Sequence, residues 1–147
     1  MKFEKFAKYA GCNGRIITME NGEKWLFYDN IGMKIPDERQ VCAVSNIKVE
    51  FLEQVLKSEK EVARLTNAVL PNPNDKASEL LRVYTSSTEK SIKISNKAFS
   101  FIDDDTDMTF ITSIITDKAE YKALLVTDEL KSEEVKMIYI IEAWEDA

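Results

Sequence analysis

The sequence predicts an α+β fold: an N-terminal helix and β-hairpin, one long central helix, and a C-terminal antiparallel β-meander. Three observations carry this. First, the apolar runs Met108–Thr116, Tyr121–Thr127 and Val135–Trp144 are separated by short charged stretches, Asp117 to Glu120 and Asp128 to Glu134. Those lengths suit antiparallel neighbours. The runs are rich in Ile111, Ile114, Ile115, Leu124, Leu125, Val126, Ile138, Ile140 and Ile141, a composition that fits a pleated, buried surface. Second, Arg15–Glu20 and Glu23–Tyr28 flank Asn21-Gly22, the dipeptide that supplies the two positive-φ positions of a type I′ turn. Third, Phe51, Val55, Val62, Leu65 and Val69 recur at spacings of 4, 7, 3 and 4, a helical stripe that Leu52 and Leu56 widen.

Taken in order, residues 2–10 place Phe3, Phe6, Ala7 and Ala10 on one helical face, with Gly11 as the stop. Lys2, Lys5 and Lys8 take the other side. After the hairpin, whose second strand is apolar on both faces from Trp25 to Tyr28, Asn30 to Pro36 reads as a turn and a short extended piece. Gln40 to Val44 reads as a brief strand. Ser45 or Asn46 caps a helix running to about Val69. Pro71-Asn72-Pro73-Asn74-Asp75 ends it. Leu80–Thr85 stays open between helix and strand, Ile92 and Ile94 mark a short strand, and Ser95 caps a two-turn helix with Ala98, Phe99 and Ile102 on one face. The domain reading is 1–147 as one unit, with two lobes, 1–70 and 76–147 joined at 71–75, as the alternative.

The totals exclude several functions. The chain has 147 residues, 44% hydrophobic and 31% charged, in the range of a globular domain. No apolar run approaches the roughly 20 residues of a bilayer span, and the lysine-rich start is unlike a secretory signal; the expected compartment is the cytoplasm. With no histidine, Ser-His and Cys-His nucleophile pairs and imidazole zinc sites are excluded. The net charge of −6 opposes direct binding to nucleic acid or to an anionic membrane. Cys12 and Cys42 are read as small buried apolar residues, with a bridge between them left open by sequence separation.

Three stretches carry candidate chemistry. Asp103, Asp105 and Asp107 match the first ligand positions of an EF-hand loop, but Met108 stands in place of its Gly and Ile114 in place of its bidentate Glu. The run Asp103-Asp104-Asp105-Thr106-Asp107 is therefore read as a solvated acidic turn. Glu120-Tyr121-Lys122 and Glu134-Val135-Lys136 fit the Glu-x-Lys element of metal-dependent nucleases; on strands the same pattern places two charges on one solvent face. Glycine-rich phosphate loops are absent from the sequence. Glu142, Trp144, Glu145 and Asp146 form a second acidic group, with Trp144 closing the core or anchoring a partner.

In being short, rich in Lys, Glu, Ile and Asn, and devoid of a signal or enzyme motif, the chain resembles the small accessory proteins encoded by phages and prophages. That resemblance implies a stoichiometric binder of a host protein. Some such proteins, the anti-CRISPR type among them, inhibit defence nucleases by presenting carboxylates where phosphates would sit. The expected function is thus non-enzymatic binding of another protein, such as a basic nucleic-acid-binding one, through Asp103, Asp104, Asp105, Asp107, Glu142, Trp144, Glu145 and Asp146. No cofactor or metal is expected, and the compartment implied is the host cytoplasm. Two alternatives from other classes are a structural protein self-associating through the long helix and a carboxylate-based, metal-dependent enzyme.

Overall fold

The computed structural model describes residues 2–19, 21–36, 45–46, 49–69, 80–103, 106–115, 119–128 and 131–142. They form one sheet of ten strands in the order β4-β1-β2-β3-β10-β9-β8-β5-β6-β7, flanked by three short helices. The strands are β1 (Arg15–Thr18), β2 (Lys24–Tyr28), β3 (Ile31–Lys34), β4 (Ser45–Asn46), β5 (Glu61–Val69), β6 (Leu81–Ser86), β7 (Ser91–Ser95), β8 (Asp107–Ile115), β9 (Glu120–Asp128) and β10 (Lys131–Glu142). All pair antiparallel except β4, which lies parallel to β1. The helices are α1 (Lys2–Ala10), α2 (Val49–Lys57) and α3 (Asn96–Phe99).

The expected long central helix is not there, and with it falls the α+β description. Helix α2 has nine residues. Ser58 closes it by donating from Oγ to Gln54 O at 2.6 Å and from its backbone N–H to Val55 O. Three residues later the chain is strand β5. The stripe that suggested a helix joins two different elements: Val55 is on α2, and Val62, Leu65 and Val69 are on β5. On a strand, residues three apart face opposite ways. Val62 is accordingly 49% exposed, while Leu65 packs against the buried core. Ser45 and Asn46, read as caps, pair with Arg15 and Ile16 as β4. Leu80–Thr85 resolves as a strand, β6. The stretches 40–44 and 71–75 lie outside the described residues.

The Asn-Gly signal marks a hairpin, but its turn differs from the one expected. Gly22 N–H donates to Met19 O, and Met19 N–H to Glu23 O, so the loop between β1 and β2 spans positions 20–22. Among the described residues of the loop Gly22 alone, at φ 90, takes the left-handed region, and Asn21 Oδ1 accepts from Glu23 N–H. The two-residue left-handed turn falls instead at Asp29 (φ 53) and Asn30 (φ 67), between Tyr28 and Ile31 of β2 and β3.

Elsewhere local rules are met. Gly11, at φ 56, follows α1. Ser95 Oγ accepts from Ala98 N–H at 3.1 Å and starts α3, which runs a single turn. Strands β8, β9 and β10 form the C-terminal meander.

The sheet is buried on both faces along its middle. One face, with Leu26, Ile31, Met33, Leu124, Val126, Met137 and Tyr139, packs against Phe3 and Phe6 of α1 and against Ala98, Phe101 and Ile102. The opposite face, with Trp25, Phe110, Ile114, Leu125, Val135 and Ile138, packs against Leu52 and Val55 of α2. That explains the unbroken apolar run of β2, whose Trp25 and Leu26 serve opposite faces. Cys12, expected inside, is exposed in the 3-10 turn Gly11–Asn13 with a free thiol; Cys42 lies outside the described residues. No helix is long and apolar enough to cross a membrane among the described residues.

Candidate functional site

The acidic turn sits where the chain enters β8. Asp107 N–H donates to Asp103 O at 2.8 Å, Thr106 N–H to the same oxygen at 3.2 Å, and Asp103 N–H to Asp107 Oδ2 at 2.8 Å. The second carboxylate oxygen of Asp107 accepts from Lys136 Nζ at 2.6 Å. The Asp107 side chain is 0% exposed, whereas Lys136 is 42% exposed. Both carboxylate oxygens are thus engaged within the fold, as a buried carboxylate requires.

Asp107, one of the acidic residues expected to meet a partner, is held inward and braces the turn. Asp103 and Thr106 are exposed. Asp104 and Asp105 lie outside the described residues, as do Trp144, Glu145 and Asp146. Glu142 ends β10, two strands from β8, with its backbone paired to Tyr121.

Lys136 reaches Asp107 through an irregularity in β10. Val135 pairs with Thr127 and Met137 with Val126, so Lys136 is an extra residue on its strand. Such a bulge re-aims a side chain and reverses the inside–outside alternation beyond it. Val135 and Ile138, an odd number of positions apart, therefore pack on the same face of the sheet.

Of the two Glu-x-Lys elements, Glu134, Lys136 and Lys122 are engaged within the fold. Glu134 Oε1 accepts from Lys34 Nζ at 2.6 Å, and the same ammonium lies 3.2 Å from Glu23 Oε1. Burial pulls the Lys34 pKa down, but the hydrogen bonds it donates to Glu134 and Glu23 outweigh it and hold the group above the ordinary lysine value. Lys122 Nζ donates to Ser91 O at 3.0 Å, tying β9 to β7. Among the described residues no group of three Cys, Asp or Glu is placed to hold a metal ion.

One polar cluster had no signal in the sequence. Tyr9 Oη donates to Asp29 Oδ2 at 2.5 Å, and its ring meets Tyr28 edge-on at 5.1 Å. The Lys97 ammonium stands 4.7 Å from the centroid of the Tyr9 ring. The hydrogen bond to Asp29, with burial and the Asp29 charge, pushes the phenol up to about 12. The partners come from α1, the β2–β3 turn and α3, far apart in the chain, so only the tertiary fold brings them together. Compared with protein-family models, curated proteins and solved structures, the chain matches none.

Proposed function

We propose that the chain is a non-enzymatic binding module for another protein, and that the acidic turn at the start of β8 meets a basic surface of that partner. The construction of the turn carries this reading. A buried carboxylate, Asp107, is bonded to the backbone N–H of Asp103 and to the Lys136 ammonium, which holds Asp103 at the entrance to β8. A recognition loop held in place before binding loses less entropy on binding. A net charge of −6 also steers encounter with a basic partner and keeps unlike partners away.

In this reading Asp103, Asp104 and Asp105 face Arg or Lys side chains of the partner, with Glu142, Trp144, Glu145 and Asp146 as a second group to be tested. The phage-type form of the proposal makes the partner a host nucleic-acid-binding protein and places the action in the host cytoplasm. Self-association through a long helix is not carried forward, because α2 spans nine residues and buries Leu52 and Val55 against the sheet.

The test separates the turn's display from its scaffold. Capture of the tagged chain from nuclease-treated lysate identifies the partner, and binding is then measured with purified components over a salt series. The variant with Asp103, Asp104 and Asp105 all changed to Asn is expected to keep the wild-type melting temperature and to bind at least about tenfold more weakly. Equal binding by that variant, or affinity independent of salt, overturns the proposal.

A further inference from the structure

The sheet face that α2 covers continues past β8 onto β5, β6 and β7. Val62 of β5 pairs with Phe110, which belongs to the core beneath α2. Strand alternation places Arg64 on the same face as Val62. The pairing of Arg64 with Thr85 carries that face to Leu81 and Val83 of β6, and the pairing of Val83 with Lys93 carries it to β7. Val62 is 49% exposed, Arg64 is exposed, and Leu81, Val83 and Lys93 are half-buried. Leu81 and Val83 join neither packed core among the described residues. An apolar sheet face is ordinarily buried by a second layer, and α2 supplies that layer over β8.

The charge on this strip is of one sign. Arg64 and Lys93 stand on it, and Lys60 borders it, with its ammonium 5.3 Å from the centroid of the Phe110 ring. Glu61, the one carboxylate of the three strands, is turned to the other face. There it accepts from Ser86 Oγ at 3.2 Å and from Thr88 Oγ1 at 2.8 Å; Ser86 pairs with Ala63, which is buried in the opposite core. A chain of net charge −6 therefore shows a partner a patch whose charged groups are cations.

Three features select the occupant. Two copies of this face would bring cations against cations, which opposes symmetric self-pairing. An anionic bilayer is opposed by the net charge of the chain and by the lack of an aromatic anchor among these outward residues. Three strands spaced about 4.8 Å apart make a strip about 10 Å across, the diameter of one α-helix.

We propose that this strip docks an amphipathic helix of a partner protein, one whose apolar stripe is flanked by carboxylates. The apolar side chains of that helix lie on Val62, Leu81 and Val83, and its carboxylates meet Arg64 and Lys93. The strip is separate from the acidic turn and opposite to it in charge, so the two surfaces are tested apart.

The probe is a displayed library of peptides of about 18 residues, roughly five helical turns. It has a fixed leucine stripe at helical spacing and Glu, Gln or Lys at every other position. Selection against the wild-type chain is expected to enrich Glu over Lys, and the recovered peptides to bind in solution with an affinity that falls with salt. Arg64→Glu and Val62→Glu, both at exposed positions, should each weaken that binding at least about tenfold. A melting curve verifies that each variant folds. Recovery of no peptide, enrichment of Lys or Gln, or undiminished binding by either variant overturns the proposal. So does sedimentation of the chain with phosphatidylserine vesicles that Arg64→Glu abolishes, which would assign the strip to a membrane.

Discussion

Asp107 and Tyr9 show how single polar residues are fixed by what faces them. The Asp107 side chain is fully buried and holds two donors, one on a backbone and one on Lys136. Asp107→Ala removes both bonds. Its expected cost is about 2 kcal/mol, in line with losing hydrogen bonds to a charged group, read from the urea midpoint. Lys136→Met acts on the same ion pair, so the double variant should cost less than the sum of the singles. A strictly additive result would mean that the two side chains do not interact.

Tyr9 makes the complementary case in alkali. Its phenol is raised from 10.0 to about 12 in the folded chain by the Asp29 hydrogen bond. A group whose folded pKa lies above its unfolded one adds stability that is complete below the unfolded value. That stability is lost as pH climbs through the folded one. The Tyr9 contribution is therefore present at neutral pH and disappears between about pH 10 and pH 12. Tyr9→Phe should be less stable than wild type at pH 8, and the two should converge as pH rises through that window. A constant difference across the alkaline range would remove Asp29 as the cause. Lys34 titrates in neighbouring alkali, but it is common to both proteins and cancels in the comparison.

At the scale of elements, β5 decides between two readings of one stretch. As a helix, Val62 and Leu65 would share a buried stripe; as a strand, they part. Val62 is 49% exposed and Leu65 packs on the core. Val62→Asp is expected to cost under about 0.5 kcal/mol and Leu65→Asp about 2 kcal/mol, measured by denaturant unfolding. Similar costs for both would restore the helix.

The same stretch shows what the sequence could and could not reveal. Short elements announced by local chemistry are legible: the Phe3–Phe6–Ala10 face with Gly11 behind it, the Ser95 cap, and the meander with its charged connections. What fails is any inference that runs across an element boundary. Heptad-like spacing from Phe51 to Val69 spans a helix, a break and a strand, and periodicity cannot separate these without a stop signal stronger than Ser58. The β-branched content of Val62, Thr66 and Val69 was the available hint. For the candidate site, the acidic run is visible in sequence, but the inward turn of Asp107 depends on a bulge at Lys136, some 29 residues away.

The whole molecule is governed by where its last strand goes. β10 lies between β3 and β9, pairing Met137 with Met33 and Val126, and Tyr139 with Ile31 and Leu124. Through it the N-terminal strands β1 to β4 join the strands β5 to β9 of the same sheet. The pairing of β5 with β6 likewise crosses the proline-containing stretch 71–75. A sheet continuous across that boundary has no surface at which two halves could part without breaking backbone hydrogen bonds and exposing Leu26, Ile31, Leu124 and Ile138, each 0% exposed. We therefore expect one cooperative thermal transition, with coincident melting by far-ultraviolet dichroism and by tryptophan emission. Two separated transitions would establish independent lobes at 1–70 and 76–147. A stronger form of the same expectation follows from chain order. A chain stopped at residue 130 retains β1 to β9 yet lacks the strand that joins them, leaving the facing edges of β3 and β9 unpaired and their apolar sides uncovered. That fragment should show no cooperative transition. A peptide of residues 131–142 added to it should restore one, to an extent that rises with peptide concentration.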